Sequence, residues 1–288
     1  MLKDGALVST GPAAELTTDE LVRRMVGRSI STFFPEALEG TVVGETRLSV
    51  VDGGNSYIDG VDLELRAGQI VGLAGLQGSG RTELAEAVFG AAPFTRGSVS
   101  LDGRSTNLTS PRTAVRAGVA LITEDRKAQG LTLNQSVLDN ALLVIRAVFP
   151  GRNRHARQQV PGVLSSLEVS SQGTGQEVQF LSGGNQQKVV LAKWLATKPR
   201  VVLLDEPTRG IDVGAKVAVY NLMRELAHEG VAILMISSEL PEVIGMSDRI
   251  LVMHDGRIVS ELEPGSSEEN VLAAATGTLR SETGEVPL

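Results

Sequence analysis

Apolar positions along this chain gather into short unbroken runs, of which Val201–Leu204, Val231–Ile236 and Ala141–Phe149 are the strongest. A bilayer crossing needs about 20 apolar residues, so none of these runs is a membrane span. Short apolar runs bounded by turn formers predict strands buried on both faces. Strands are expected at Gln69–Ala74, Val201–Asp205, Val231–Ser237 and Arg249–Met253, separated by segments of helical length such as Glu83–Val88. That alternation predicts a largely parallel α/β sheet with helices on its faces.

Stretches containing proline and glycine at Phe34–Gly44 and Glu263–Gly265 read as linkers or turns. The N-terminus also repeats a pattern found near the C-terminus: Asp4-Gly5-Ala6-Leu7-Val8-Ser9 parallels Asp255-Gly256-Arg257-Ile258-Val259-Ser260. In each copy an Asp-Gly turn leads into a short strand, a proline and a Thr or Ser cap opening an acidic helix, near Thr17 and near Ser266. With a one-residue gap both copies end in glycine, at Gly27 and Gly277. This is either a chance likeness of two hairpin-plus-helix segments or the tail of a preceding, related domain. The second reading divides the chain into a tail at 1–36, a linker at 37–44, a main domain at 45–277 and a flexible C-terminal tail at 278–288.

At 288 residues, 42% hydrophobic and 21% charged, the chain is expected to bury a substantial core. The lack of cysteine excludes disulfides and thiolate chemistry, and three histidines are too few for a His-rich metal site. A net charge of -7 argues against a general grip on nucleic acid, which needs clustered Lys and Arg. The opening residues MLKDGALVST lack a basic segment leading into a long apolar core, so no secretory signal is read and a cytoplasmic location is expected.

Two segments carry candidate phosphate chemistry. Gly75-Leu76-Gln77-Gly78-Ser79-Gly80-Arg81-Thr82 lies between an expected strand and an expected helix. Gly75, Gly78 and Gly80 let backbone N–H groups around Ser79 converge on phosphate oxygens at a helix N-terminus. Thr82 would place a hydroxyl on Mg2+. Arg81 stands where a lysine is usual, and its larger planar fork does not imitate an ammonium group. The second segment, Val201–Glu206, is an apolar strand that delivers two carboxylates. In that Walker B arrangement Asp205 would help hold Mg2+ and Glu206 would orient the attacking water. The plain alternatives are an unrelated glycine turn and a solvated acidic turn.

Leu181-Ser182-Gly183-Gly184-Asn185-Gln186-Gln187-Lys188 closely resembles the signature motif of ABC ATPases. Pro207-Thr208-Arg209-Gly210-Ile211-Asp212-Val213-Gly214-Ala215-Lys216 is similar to their D-loop, and Ile122-Thr123-Glu124-Asp125-Arg126-Lys127 to the Q-loop of the second domain of the tandem ribose, galactose and xylose importer ATPases. The resemblance spans about residues 45–277. It implies a P-loop NTPase core of ABC type with an antiparallel β subdomain and a helical subdomain at about 128–198. It also implies that Ser182, Gly183 and Gly184 meet the γ-phosphate of ATP held by an opposing domain, with Asp212 at the domain interface. ATP and Mg2+ are the implied cofactors. The implied partners are a first ATP-binding domain or a second copy, transmembrane permease subunits and, indirectly, a periplasmic or lipoprotein sugar-binding protein, at the inner face of the cell membrane.

Three departures from the usual family pattern point one way. Arg81 replaces lysine, Glu124 stands at the Q-loop glutamine position, and Ser238 stands at the switch-histidine position. Serine supplies neither the proton handling nor the reach of imidazole. The site built on this chain's own phosphate loop is therefore expected to be impaired. The alternatives are a regulatory nucleotide-binding half, or the ATPase of a nucleoside importer. An ABC protein acting on DNA or the ribosome fits the acidic balance poorly. Arg146, Arg152, Arg154, His155 and Arg157 suit an anionic partner or, more simply, a solvated helix face. Tyr57 is the candidate adenine platform, with plain packing as its alternative.

Overall fold

The computed structural model describes residues 33–278 and, ahead of them, residues 2–3, 6–7, 10 and 12. The two leading strands, β1 (Leu2–Lys3) and β2 (Ala6–Leu7), pair antiparallel, Leu2 opposite Leu7 and Lys3 opposite Ala6. The helix expected near Thr17 and most of the tail expected at 278–288 lie outside the described residues.

An antiparallel sheet of order β4-β3-β6-β7 is formed by β3 (Thr46–Gly54), β4 (Val61–Arg66), β6 (Arg96–Leu101) and β7 (Arg104–Thr106). In β4 burial alternates, with Val61, Leu63 and Leu65 turned inward, as a sheet with one solvated face requires. The larger sheet, of order β12-β11-β5-β10-β9-β8, holds β5 (Ile70–Gly75), β8 (Val119–Ile122), β9 (Val201–Asp205), β10 (Ala232–Ile236), β11 (Arg249–His254) and β12 (Arg257–Leu262). Its strands are parallel except at the β11–β12 hairpin. Every residue of β8, β9 and β10 is buried, which is why these strands read as continuous apolar runs rather than alternating ones.

The helices are α1 (Arg81–Phe89), α2 (Pro111–Arg116), α3 (Val137–Val148), α4 (Asn153–Ser166), α5 (Gly183–Leu195), α6 (Val213–His228), α7 (Leu240–Met246) and α8 (Glu268–Ala275). Residues alternating along the central strands serve two cores. Leu73, Leu203 and Leu234 pack with Leu84 of α1 and Leu48 and Leu63 of the antiparallel sheet. Val202, Leu204, Ile233 and Met235 pack with Leu142, Val189, Val190, Tyr220 and Met223 from α3, α5 and α6. The helical insertion expected at about 128–198 contains α3, α4 and α5, preceded by a π-helical turn at Arg126–Gly130.

The expected strands lie within one residue of the observed ones, and the helix expected near Ser266 begins at Glu268 with Ser267 as its cap. The stretch read as a linker is irregular but docked. Phe33 and Phe34 lie 5.5 and 5.3 Å from the Tyr220 ring, and Arg224 Nε donates to Pro35 O at 2.9 Å. Thr41 Oγ1 lies 3.1 Å from His228 Nδ1. Proline and glycine content signalled the absence of regular structure, which does not imply the absence of packing.

Candidate functional site

The phosphate loop leaves β5 at Gly75 and enters α1 at Arg81. A Cβ at Gly75 would lie 2.5 Å from Ser79 Oγ and 2.6 Å from Met253 O, so the turn has no room for a side chain there. Gly80 caps α1 at φ 102, a left-handed conformation that strains other residues. The β11–β12 turn supports the loop from the side, since Gly256 N donates to Ser79 O at 2.9 Å and Gly256 O accepts from Asp59 N at 3.0 Å. Tyr57 sits in the segment pinned by that contact and is 64% exposed, which removes core packing as the reason for its presence.

The loop floors a cleft of about 560 Å³ that gathers Gly75, Gly78, Ser79, Gly80, Arg81 and Thr82 with Glu124, Asp205, Glu206 and Ser238. Every phosphate-loop, Walker B, Q-loop and switch-position residue singled out in the sequence therefore meets in one place. Thr82 Oγ1 donates to Asp205 Oδ2 at 2.8 Å, and Ser238 Oγ donates to Glu206 Oε2 at 3.1 Å. Glu206 holds a positive φ of 49 and its N–H donates to Ile236 O at 2.9 Å, which turns its carboxylate out of the strand line. Burial pushes the Asp205 carboxyl above the ordinary carboxylate range, against the opposing pull of the Thr82 hydrogen bond and the Arg81 charge. Burial raises Glu206 in the same direction, against the Ser238 hydrogen bond and Arg81.

The cleft fits a Mg2+–nucleotide pair. Asp205 Oδ1 and Ser79 Oγ are buried and have no hydrogen-bond partner, a cost that a cation, a phosphate oxygen or its water would relieve. Mg2+ is commonly held by one or two protein groups plus phosphates and water, and Thr82 with Asp205 supplies such a pair. Among the described residues no cluster of three or more His, Cys, Asp or Glu forms an all-protein metal cage.

Arg81 lines the cleft, with one arm of its guanidinium turned to the backbone. Its Nη1 donates to Ser237 O at 2.8 Å, at the end of β10. Glu124 is ion-paired with Arg209 across the cleft. Arg209, Gln77, Glu83 and Glu239 also line the space. Sequence reasoning assigned them no role, although Arg209 stands within the D-loop pattern.

Ser182, Gly183 and Gly184 lie outside this cleft. Ser182 is exposed and caps α5, its Oγ accepting from Asn185 Nδ2 at 2.9 Å. Gly184 is required by packing, because a Cβ there would come within 2.7 Å of Ala215 Cβ. Asp212 also lies outside the cleft and caps α6, Oδ1 accepting from Ala215 N at 3.0 Å. That local capping function explains an aspartate at this position on its own. The basic residues Arg152, Arg154, His155 and Arg157 are exposed on and just before α4, whereas Arg146 pairs with Asp139 at 2.8 Å.

The family described as ABC transporter matches residues 58–209, from the Tyr57 loop through the phosphate loop, signature turn and Walker B strand. This chain belongs to the ABC transporter family. It is 48% identical over 284 residues to the ribose import ATP-binding protein RbsA 2 of Streptomyces avermitilis, with 96% of this chain aligned to 55% of that protein. It is 46% identical to the ribose import ATP-binding protein RbsA of Geobacillus kaustophilus, with 96% and 57% of the two chains covered. The chain thus spans about half the length of the curated relatives it matches. Among solved structures it is similar to a nucleotide-free ATP-binding cassette from an ABC transporter, with a TM-score of 0.67 at 21% identity over 80% of this chain and 96% of that one. It is also similar to the ADP conformation of an ATP-binding cassette, with a TM-score of 0.67 at 22% identity over 81% and 95%. These two likenesses bear on the ABC cassette fold. Among the described residues no helix is long and apolar enough to cross a membrane.

Proposed function

We propose that this chain is the second ATP-binding half of a tandem ABC subunit that energises import of a monosaccharide, and that its signature turn completes the nucleotide site of a partner domain. The observation that carries the reading is the separation of two phosphate-binding surfaces. The helix N-terminus at Ser182–Gly184, exposed at Ser182, lies outside the chain's own cleft, while Arg81 of that cleft is engaged by Ser237 O. A capped helix N-terminus offers N–H groups and partial positive charge to an anion, and this one is separate from the chain's own phosphate loop.

Within its own cleft the chain binds ATP on the phosphate loop, with Tyr57 beside the loop as the platform for the base. Thr82 and Asp205 would hold Mg2+, which would neutralise phosphate charge. Glu206 orients water, and the Ser238 hydroxyl holds the Glu206 carboxylate. Serine adds no imidazole and Arg81 is turned aside, so turnover here is slow. That favours, as a second reading, a regulatory half that binds nucleotide and hydrolyses little.

The tandem arrangement is supported by the leading hairpin. Leu2 opposite Leu7 and Lys3 opposite Ala6 reproduce the register of Met253 opposite Ile258 and His254 opposite Arg257. The relatives' greater length is consistent with a first domain of the same kind. The partners proposed are that first domain, transmembrane permease subunits against the helical insertion and, indirectly, a sugar-binding protein, at the cytoplasmic face of the membrane. ATP turnover measured after mixing this chain with a domain carrying the Walker lysine and switch histidine tests the reading. Turnover is expected to rise, and Ser182→Arg is expected to abolish the rise. No rise despite demonstrated association of the two domains would leave the regulatory reading standing.

A further inference from the structure

One side chain, Arg126, joins the signature turn to the loop that follows Walker B. Arg126 opens the π-helical turn Arg126–Gly130, which Asp125 caps by accepting from Lys127 N at 2.9 Å and Ala128 N at 3.0 Å. Its guanidinium donates Nη1 to Arg209 O at 2.8 Å and Nη2 to Gly210 O at 2.9 Å. The same group lies over Gly183, where a Cβ would come within 2.8 Å of Nη2 and 3.2 Å of Gly210 O. A missing side chain at position 183 is what allows the planar fork to lie between the two loops.

The far end of the π-turn is fastened to the signature helix itself. Lys193 of α5, only 4% exposed, donates Nζ to Gly130 O at 2.5 Å. Gly130 also packs on Val190, whose Cγ2 would lie 3.1 Å from a Cβ added there. The turn is therefore fastened to α5, and Arg126 is its connection to the loop between Glu206 and the Asp212 cap. Arginine suits this task because its rigid fork engages two carbonyls at once, which a lysine ammonium on a flexible stem does not reproduce. Arg126 is absent from the lining of the chain's own phosphate cleft.

We propose that Arg126 is a positioning residue that holds the signature turn, Ser182–Gly184, and the Arg209–Asp212 loop in one register, so that both reach the partner domain's nucleotide as a unit. The proposal rests on the reading that this signature turn serves a partner's site. Loss of the fork lets the two loops move independently while each keeps its fold, so it lowers kcat of the paired domains with little change in KM for ATP.

The test compares unsubstituted chain, Arg126→Gln, Arg126→Lys and Ser182→Arg, each paired with a domain that carries the Walker lysine. Hydrogen exchange is followed at the amides of 183–186 and 209–212 in the chain alone. If Ser182→Arg abolishes turnover, the proposal expects Arg126→Gln to lower kcat by roughly tenfold or more with KM within about twofold, and Arg126→Lys to fall between. Unchanged kcat in Arg126→Gln would overturn it. If Ser182→Arg has no effect, the trans-signature reading fails and the exchange data decide. Faster exchange confined to both segments in Arg126→Gln supports the clamp, and unchanged or globally faster exchange refutes it.

Discussion

Glu242 is the most heavily used buried carboxylate among the described residues, and its removal has a calculable cost. It is 1% exposed and accepts from the hydroxyls of Thr208, Tyr220 and Ser237, the last at 2.7 Å, and from Lys216 Nζ at 3.3 Å. Thr208, Tyr220 and Ser237 are themselves at most 2% exposed, so Glu242→Ala strands three buried hydroxyls. Each unsatisfied buried group costs about 1–3 kcal/mol, reduced by relaxation and shared water. Removing one partner of a buried charged network costs about 3–5 kcal/mol, and we expect Glu242→Ala in that range. Glu242→Gln is milder. An amide oxygen can keep Thr208, Tyr220 and Lys216, and the amide nitrogen can donate to the second lone pair of Ser237 Oγ, but the Ser237 hydroxyl hydrogen then loses the acceptor that Glu242 gave it. One bond is lost, about 1–2 kcal/mol. Urea unfolding followed by fluorescence of the single tryptophan, Trp194, which packs edge-on against Phe89, reads both values. A cost under about 1 kcal/mol for Glu242→Ala at unchanged m would refute the network as described.

Three further outcomes follow from the cleft. Arg81→Lys frees the side chain from Ser237 O and is expected to tighten MgATP binding by about tenfold in calorimetry, about 1.4 kcal/mol; unchanged affinity would mean that Arg81 already contacts phosphate. Burial raises the folded pKa of Asp205 above its unfolded value, so the folded state holds this proton more tightly and stability falls as pH rises from the ordinary carboxylate range through the raised one. Asp205→Asn is therefore expected to raise the metal-free melting temperature at pH 7 while abolishing the stabilisation given by MgATP; a lowered melting temperature would contradict this. Tyr57→Ala is expected to weaken MgATP binding by about 1–3 kcal/mol, the range for base–aromatic stacking, and to change stability by no more than about 0.5 kcal/mol; equal affinity would remove Tyr57 as the base platform.

The chemistry-bearing loops were legible because each is local. Gly75–Thr82 needs its glycines wherever the chain goes next, and the β9 run needs apolar residues on both faces because helices and a second sheet cover it. The tertiary arrangements were not legible. That Arg81 turns to Ser237 O joins positions 156 residues apart, and no spacing rule links them. Arg126 stood inside a recognised segment, but its role depends on where Gly183 and Gly210 arrive in the fold. Glu242 did leave a signal: it lies four residues before Met246 on one face of α7, and both are buried. A charged residue at an apolar helical spacing marks a satisfied buried group. The stretch beginning at Phe34 reads as linker from its proline and glycine content, which says nothing of the Phe33 and Phe34 rings that reach Tyr220.

The central claim is that this chain lends its signature turn to a partner's nucleotide and hydrolyses little on its own phosphate loop. Counting the ADP trapped by vanadate per pair of domains, and locating it with a photoreactive ATP analogue, tests that claim most directly. The account predicts one ADP per pair, on the partner's phosphate loop, and none trapped when Ser182→Arg replaces the unsubstituted chain. Two ADP per pair, or vanadate-trapped ADP located on Gly75–Thr82 of this chain, would contradict it.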